Sequence, residues 1–269
     1  MPELPEVEIF KHHLDATSLG RRIDAAVVND RRIIGKSAPA ELAARLKGAR
    51  LTASRRYGKY LLIDLGETGW LVLHFGMNGS LQYYGNGAEE PPYDRLRLDF
   101  AGDGHLAYVN PRRIGSVELV PDVDAFVARE GLGPDALDPG FSADDFAHAL
   151  QATKRDVKSA LMDQALVAGI GNLYADEILF QAQLHPKTPT KALDRAALQR
   201  LFNKMRYALE TAVREGAGSE QMLERLPRGF LLPQRKQGGR CPRCGGPIAT
   251  LKSGGRTGYF CPHCQPAPR

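Results

Sequence analysis

The first six residues contain groups that could do covalent chemistry at a chain terminus. Removal of Met1 would leave Pro2 with a secondary amine, and Glu3 and Glu6 follow within one helical turn. A terminal amine with a reference pKa of about 8 is partly neutral near pH 7 and can attack a sugar carbon or an aldehyde. The product is a cationic iminium, which withdraws electrons, and neighbouring carboxylates can move protons. Taken alone, these residues also fit an ordinary polar chain start without a catalytic role.

A second group with chemical potential lies near the other end of the sequence. All four cysteines occur there, in the pairs Cys241/Cys244 and Cys261/Cys264, with 16 residues between the pairs. This spacing is typical of a tetrahedral zinc site on two knuckles joined by a β-hairpin. Redox pairs and disulfides are the alternatives. Four thiolates fill the coordination sphere of zinc, so we predict one structural Zn²⁺ ion, and a zinc-dependent hydrolase is disfavoured.

Positive charge is concentrated in the same region. From Arg225 to Arg269 there are nine Lys or Arg residues and no acidic residue, whereas the whole chain has a net charge of only +5. A basic block without an amphipathic apolar face favours nucleic acid over a membrane surface. The alternative is a solvated basic tail. Because the cysteines lie within this block, we expect the zinc hairpin to present Lys252 and Arg256 to phosphates.

The composition is that of an ordinary globular protein. Of its residues, 43% are hydrophobic and 25% are charged. A length of 269 residues is enough for one large domain or two to three smaller ones. No apolar run approaches the roughly 18 residues of a membrane span, and the acidic N-terminal residues contain no apolar signal segment. We therefore expect a cytoplasmic protein without a membrane partner, in which disulfides are disfavoured.

The periodicity of apolar residues divides the sequence into a strand-rich part and a helical part. Short alternating or β-branched segments with tight turns predict a sandwich or barrel of antiparallel sheets. The strands are expected at residues 23–28, 51–56, 60–65, 70–75, 80–84, 95–100, 105–109 and 116–120, with helices at residues 6–14 and 40–46.

A linker rich in Gly and Pro at residues 131–140 precedes the helical part. Ser142 is a plausible N-cap of its first helix, and helices are predicted at residues 142–151, 156–162, 174–183 and 194–215. Residues 216–239 are expected to be irregular and mobile. The predicted domains are residues 1–131, 132–228 and 229–269.

Candidate binding residues lie in the turns between these segments. Gly169-Ile170-Gly171-Asn172 joins two helices, and free N–H groups at the following helix start would suit a phosphate, as would Asn172. An ordinary helix hairpin is equally compatible with this motif. Lys59, between a glycine and a strand, could clamp a phosphate or be a solvated lysine.

Two further loops follow predicted strands, a common position for functional residues. One runs from His74 through Met77, and the other contains Arg112 and Ile114. Met77 and Ile114 could equally be buried in a core.

In order along the chain, these segments resemble the formamidopyrimidine-DNA glycosylase / endonuclease VIII family of base-excision repair, closest to its formamidopyrimidine branch. The matching motifs span nearly all of the sequence: Pro2-Glu3-Leu4-Pro5-Glu6-Val7-Glu8, Lys59, His74-x-Gly-Met77, Pro111-Arg112-Arg113, Gly169-x-Gly-Asn172-Leu-Tyr-Ala-Asp-Glu177 and the four-cysteine finger with Arg256. The resemblance implies an α+β fold: an N-terminal antiparallel β-sandwich with flanking helices, then a helix–two-turn–helix domain with a C-terminal β-hairpin zinc finger. It also implies a monomer that binds double-stranded DNA containing a damaged base in the cleft between two domains.

The resemblance implies a bifunctional DNA glycosylase and abasic-site lyase. Pro2 would attack C1′ of the damaged nucleotide, expel the base and form an iminium, so that β- and then δ-elimination cut the strand. Glu3 would be the principal proton donor and Glu6 a supporting acid or base, with Lys59 in the catalytic site.

Other residues would contact DNA by the same resemblance. Lys59, Asn172 and Arg256 would hold phosphates around the flipped nucleotide, and His74 belongs to the same DNA-binding set. Met77, Arg112 and Ile114 would fill the gap that the flipped nucleotide leaves, because inserted side chains partly offset the cost of unstacking.

Two departures from the formamidopyrimidine branch bear on the choice of base. Ile114 occupies a position that usually carries an aromatic residue, and the segment from Gly218 to Cys241 lacks the Gly-Tyr-Phe lid of that branch. We expect oxidised purines (8-oxoguanine and formamidopyrimidines) as substrates, which Leu4 favours, with oxidised pyrimidines or another lesion as the alternative. A non-catalytic lesion-binding protein is a third hypothesis, which Pro2, Glu3 and Lys59 together argue against.

Overall fold

The computed structural model describes residues 1–35, 37–217 and 220–268, and at 220 and 221 it describes the main chain. These residues form two compact units. Met1–Pro2 and Glu6–Glu130 make up the first, and Glu3–Pro5 with the chain from Gly131 onward make up the second. In the described part of the chain, no helix is long and apolar enough to span a membrane.

The first unit is a β-sandwich with helices beside it. Its strands are β1 (Ile23–Val28), β2 (Ala53–Tyr57), β3 (Tyr60–Asp64), β4 (Trp70–His74), β5 (Ser80–Tyr84), β6 (Asp94–Phe100), β7 (His105–Val109) and β8 (Ser116–Val120), and its helices are α1 (Leu4–Thr17), α2 (Pro39–Leu46) and α3 (Val123–Arg129). One sheet has the order β1-β6-β7-β5 and the other β2-β3-β4-β8, and all pairs are antiparallel.

Alternation along the strands builds the core of this unit. In β6 the side chains of Leu96, Leu98 and Phe100 are buried, whereas the residues between them are partly exposed. The register pairs Leu96 with Tyr108 and Leu98 with Leu106 on β7, so apolar side chains meet on one face of the sheet. The other sheet contributes a second apolar face to the same core, and its buried residues include Leu61, Ile63, Leu71 and Leu73.

The second unit is helical and ends in a β-hairpin. Its elements are α4 (Ala143–Gln151), α5 (Val157–Leu161), α6 (Asn172–Ala182), α7 (Arg195–Arg214), β9 (Ala249–Ser253) and β10 (Arg256–Phe260). The predicted capping role of Ser142 is confirmed, since its Oγ accepts the N–H of Asp145 at 3.1 Å in a capping box. Residues of α6 and α7 such as Ile178 and Leu201 are fully buried in the helical core.

The observed elements confirm the predicted α+β class and all eight strands, with end shifts of one or two residues. Two interpretations need correction. Helix α3 was missed, although Asp122 accepts the N–H of Ala125 at 2.7 Å and is a recognisable N-cap. The predicted irregular segment is wrong for its described part, because residues 220–225 and 232–234 form 3₁₀ turns and Leu226, Phe230 and Leu232 are buried in the helical core. Gly218, where the segment without the Gly-Tyr-Phe lid motif begins, lies outside the described residues.

Candidate functional site

The N-terminal residues are tightly held. Glu3 and Glu6 are only 2% and 5% exposed, whereas Met1 is 39% exposed. Helix α1 begins directly after Glu3, with Pro5 in its first turn, where the missing N–H of proline has no cost. Leu4 donates its N–H to the carbonyl of Gly169 at 3.0 Å, and its side chain is buried in the helical core. The residues that follow Pro2 are therefore anchored by both main chain and side chain.

The Glu3 carboxylate caps the N-terminus of α6. Its Oε2 accepts the N–H groups of Gly171 at 2.7 Å and Tyr174 at 3.1 Å, and its Oε1 accepts that of Leu173 at 2.9 Å. A helix N-terminus favours a negative group, because its first N–H groups lack partners and the helix dipole is positive there. A Cβ on residue 171 would lie 2.3 Å from Glu3 Oε1, so glycine at this position lets the carboxylate approach the helix start closely.

This cap corrects one expectation about the Gly169–Asn172 motif. The N–H groups of Gly171, Leu173 and Tyr174 were predicted to be free for a phosphate, but they bind Glu3. Gly169 has a φ of +111°, and a Cβ on it would lie 2.6 Å from Leu4 Cδ1. The glycines of this motif therefore allow the close approach of residues 3 and 4 rather than that of a polyanion.

Asn172 faces the zinc hairpin. Its Nδ2 donates to the carbonyl of Thr257 on β10 at 3.0 Å, and its buried Oδ1 has no hydrogen-bond partner among the described residues. Arg256, the neighbour of Thr257, is exposed at the start of β10. The structure thus brings Asn172 next to the strand that carries Arg256. Lys252, on β9, donates from Nζ to Thr257 Oγ1 at 2.8 Å.

The four cysteines form one cluster at the base of this hairpin. Their sulfur atoms lie within 4.8 Å of one another, with Sγ–Sγ distances of 3.7 Å for Cys241–Cys264 and 3.5 Å for Cys244–Cys261. A tetrahedral site with Zn–S bonds of about 2.3 Å requires sulfurs about 3.8 Å apart, whereas a disulfide requires about 2.05 Å. The geometry therefore fits one structural zinc ion and excludes the disulfide alternative in this conformation.

A buried ion pair connects the hairpin to the helices. Lys158 on α5 and Asp176 on α6 are both 0% exposed, with Nζ and Oδ1 at 2.6 Å. Asp176 Oδ2 also accepts the N–H of Tyr259 at 3.0 Å and Nε of Arg235 at 2.8 Å. A Cβ on Gly258 would lie 2.3 Å from Lys158 Nζ, so this glycine makes room for the ammonium group. Burial lowers the pKa of Lys158 and raises the pKa of Asp176.

Glu177, the next residue on α6, is fully buried as well. Its Oε2 accepts the N–H of Leu232 at 2.9 Å, and its Oε1 accepts Nε2 of Gln181 at 2.7 Å. Gln181 also donates to the carbonyl of Gly229 at 3.0 Å. Burial raises the pKa of Glu177 to about 7. Asp176 and Glu177 end the motif that begins at Gly169, but their spacing does not indicate which segment they bind, so the sequence predicted no role for either.

In the first unit, the two strand-end loops contact each other. Met77 is 48% exposed and Ile114 is 51% exposed, so neither is a core residue. Arg112 Nη1 lies 3.5 Å from Met77 Sδ, and a Cβ on Gly76 would lie 2.6 Å from the main-chain carbon of Ile114. The structure thus groups three exposed side chains, as the gap-filling interpretation requires.

Lys59 lies in the β2–β3 turn and is 6% exposed, so the alternative of a solvated strand-end lysine is wrong. His74 ends β4, where its ring packs against that of Tyr60 at a centroid distance of 4.9 Å and an interplanar angle of 39°. Burial lowers the pKa of His74, and the positive charge of Lys59 lowers it further. A neutral His74 can donate one hydrogen bond and accept another.

These features define a β-sandwich protein with a helix–two-turn–helix unit and a four-cysteine zinc finger. Three family models match the chain in the same order. They are the formamidopyrimidine-DNA glycosylase N-terminal domain at residues 1–117, the formamidopyrimidine-DNA glycosylase H2TH domain at residues 132–223, and the zinc finger found in FPG and IleRS at residues 238–267.

Curated relatives match over nearly their full length. The chain is 37% identical to the formamidopyrimidine-DNA glycosylase of Laribacter hongkongensis over 98% of this chain and 100% of that protein. It is 36% identical to that of Thermobifida fusca, with 100% and 99% covered. The chain therefore belongs to the formamidopyrimidine-DNA glycosylase family.

Solved structures agree with this assignment. The Lactococcus lactis formamidopyrimidine-DNA glycosylase, bound non-covalently to DNA containing an abasic site, matches with a TM-score of 0.88 at 30% identity, covering 98% of this chain and 100% of that one. A structure of MutM in complex with DNA containing carbocyclic 8-oxo-G matches with a TM-score of 0.88 at 30% identity, covering 99% and 100%. The fold class inferred from sequence is confirmed.

Proposed function

We propose that this DNA glycosylase removes oxidised purines from duplex DNA and then cleaves the strand through an iminium on Pro2. The observation that carries the proposal is the clamp on Glu3. Three N–H groups of the α6 start hold its carboxylate, so the residue beside the nucleophile has a fixed position. Fixed geometry of reacting groups is a main source of rate enhancement.

The reaction begins after Met1 is removed, because an acylated Pro2 nitrogen is not nucleophilic. The free amine attacks C1′ of the damaged nucleotide and the bond to the base breaks, so the base leaves with the bonding electrons and takes up a proton. Glu3 accepts the proton that the Pro2 nitrogen loses after the attack and passes it to the sugar-ring oxygen, which opens the ring and leaves the iminium. Loss of the C2′ proton then expels the 3′ phosphate, and a second elimination expels the 5′ phosphate. Glu6 assists these proton transfers, and Lys59 holds a phosphate at the reacting nucleotide.

Further residues hold the DNA in this proposal. Asn172 and Arg256 bind phosphates of the damaged strand with His74, and the zinc hairpin keeps Arg256 in place. Met77, Arg112 and Ile114 enter the duplex where the damaged nucleotide has left it, and their exposure supports this role. Insertion of side chains is a general means of stabilising a distorted duplex.

We also propose that the protein acts as a monomer in the cytoplasm, associated with the nucleoid through DNA. Its domains would be residues 1–131, 132–228 and 229–269. The end of the strands at Val120 supports the first boundary, and the pairing of β9 with β10 beside the four clustered cysteines supports a distinct C-terminal module.

A preference for oxidised pyrimidines is the second candidate. It is favoured by the aliphatic Ile114 and by the segment around Phe230, which packs into the helical core. The everted base would then meet a different surface from that in the formamidopyrimidine branch.

Borohydride trapping tests the proposal. The protein is incubated with duplexes containing 8-oxoguanine, an oxidised pyrimidine or an abasic site, and covalent adducts are measured. We expect an adduct on the abasic site and faster trapping on 8-oxoguanine than on the pyrimidine. Faster trapping on the pyrimidine would select the second candidate, and no adduct on any duplex would contradict the lyase mechanism.

The variant Pro2→Gly tests the nucleophile. Because a primary amine forms the iminium less readily, we expect trapping to fall by roughly 10-fold or more with little change in lesion binding. Pro92→Gly, at an exposed position, is the matched control. Intact mass must first show that Met1 is absent. Undiminished trapping by Pro2→Gly would place the nucleophile elsewhere.

A further inference from the structure

Asp30 is a buried acid that none of the proposed reaction steps uses. It is 8% exposed, and three arginines converge on its carboxylate. Oδ1 accepts the main-chain N–H of Arg32 at 3.1 Å and its Nε at 2.8 Å, and Oδ2 accepts its Nη2 at 2.7 Å. Arg113 Nε lies 3.3 Å from Oδ2, and Arg95 Nη1 lies 3.7 Å from it. One carboxylate thus organises three guanidinium groups.

Two of these arginines support the loop that carries Arg112 and Ile114. Arg113 is part of this loop, and Arg95 binds Asn110, where the loop begins. Arg95 Nε donates to the carbonyl of Asn110 at 3.0 Å, and the N–H of Arg113 approaches the same carbonyl at 3.4 Å. The side chain of Asn110 is fully buried and donates to the carbonyl of Phe75 at 3.1 Å, where the other loop begins. Asp30, Arg95, Asn110 and Arg113 therefore form a closed ring of contacts around the base of both loops.

The backbone of Arg113 shows why such support is needed. Its φ is +58°, in the left-handed region that is unfavourable for a residue with a Cβ. Arg112 and Ile114 lie on either side of it, so the unusual conformation of Arg113 determines the directions of both neighbours. The ion pair between Arg113 and Asp30 holds the residue in this conformation.

We infer that Asp30 is a positioning residue for the gap-filling loop: it holds Arg113 directly and Asn110 through Arg95, and so directs Arg112 and Ile114 toward the duplex. This inference rests on the proposed function of that loop. The cluster keeps a net positive charge, since three arginines face one carboxylate, and this charge favours approach of the DNA backbone to the loop.

The test compares two substrates that differ in their need for gap filling. Excision of 8-oxoguanine from a duplex requires the gap to be filled, whereas cleavage of an abasic site in a single-stranded oligonucleotide does not. In Asp30→Asn, we expect the excision rate to fall by roughly 10- to 100-fold, as for other small displacements of positioned groups, with single-strand cleavage within about twofold of wild type. Asp24→Asn, an exposed acid on β1, is the control and should leave both rates unchanged.

Two further measurements separate positioning from general damage. A 2-aminopurine base next to the lesion reports loop insertion by its fluorescence, and Asp30→Asn should slow this signal. Arg113→Met should reproduce the effect, and the double variant should lose little more than either single variant, because both changes break one interaction.

Each outcome decides between interpretations. If Asp30→Asn lowered the rates of duplex excision and single-strand cleavage equally, or lowered neither rate, the positioning role would be overturned. Strictly additive losses in the double variant would also overturn it. If the wild-type protein itself fails to excise 8-oxoguanine or to form an adduct, the proposed function fails instead, which the wild-type controls show before any variant is measured.

Discussion

The two units of this protein support their functional residues by different physical means. In the first unit, exposed residues such as Met77 and Ile114 lie on loops above an apolar sandwich core. Among the described residues of the second unit, four charged side chains are at most 2% exposed, namely Glu3, Lys158, Asp176 and Glu177, whereas the most buried charged side chains of the first unit, Glu6, Lys59 and Asp30, are 5–8% exposed. Each of the four groups in the second unit binds main-chain N–H groups or an opposite charge.

This difference indicates which kind of substitution should destabilise each unit. An apolar core resists changes in volume, because it is close-packed and cavities are costly. A buried ion costs several kcal/mol in desolvation, which its partners offset only while the geometry is kept. The buried charges of the second unit therefore connect α5, α6, residues 229–235 and the zinc hairpin. Loss of one charged partner should destabilise several of these segments together.

Removal of zinc should have the largest effect and should be confined to the second unit. Structural zinc contributes on the order of 10 kcal/mol to the folding of small modules. Without it, the hairpin should unfold, Arg256 should lose its position, and DNA affinity should fall by roughly 100-fold or more, since each lost charged contact costs 1.5–3 kcal/mol. The measurement is DNA binding before and after confirmed zinc release.

Hydrogen exchange provides the control for this experiment. Amides of β9 and β10 should lose protection after zinc release, whereas those of β6 and β7 in the sandwich should keep theirs. Unchanged DNA binding in the metal-free protein would contradict the role assigned to the hairpin.

The buried ion pair should give the next largest effect. Lys158→Met keeps the length of the side chain but leaves Asp176 with Arg235 as its one remaining cationic partner among the described residues. We expect a loss of about 3–5 kcal/mol in the free energy of unfolding, as for other broken buried pairs. The double variant Lys158→Met/Asp176→Asn should recover part of this loss, because no unpaired charge remains. The free energy of unfolding is measured by chemical denaturation.

A matched substitution in the sandwich sharpens the contrast. Leu73→Met, in the fully apolar core, conserves volume and should cost less than about 1.5 kcal/mol. If it destabilised the protein as much as Lys158→Met, the proposed difference between the two units would not hold.

The sequence predicted the sandwich and the zinc site well for identifiable reasons. Strand alternation, as in the residues of β6, and the cysteine spacing are local patterns with one main structural solution. The exposure of Met77 and Ile114 and the burial of Lys59 could not be predicted, because burial depends on which loops meet in space. Glu3 illustrates the same limit, since its three N–H partners lie about 170 residues away in sequence.

Glu177 predicts a smaller, pH-dependent difference between the units. Burial raises the pKa of this carboxyl from an ordinary value of 4.5 to about 7. Below about pH 4.5 the group is protonated in both the folded and the unfolded state, so it contributes no pH dependence. Between about pH 4.5 and 7 the unfolded state releases its proton while the folded state keeps it, so the free energy of unfolding falls as the pH rises, and above pH 7 the loss is constant.

The variant Glu177→Gln should remove this dependence, which amounts to roughly 3 kcal/mol at most. Its amide oxygen can still accept the N–H of Leu232, and Gln181 can turn its own oxygen toward the new NH₂ group. The measurement is hydrogen exchange of α6 amides between pH 5 and 8, where the variant should show a nearly flat opening free energy. Asp94→Asn in the sandwich is the control: burial raises the pKa of Asp94 to about 6, so this substitution should change the pH dependence of β6 but leave that of α6 intact. If Asp94→Asn abolished the pH dependence of the α6 opening free energy, the two units would unfold together. This result would contradict separate origins of their stability.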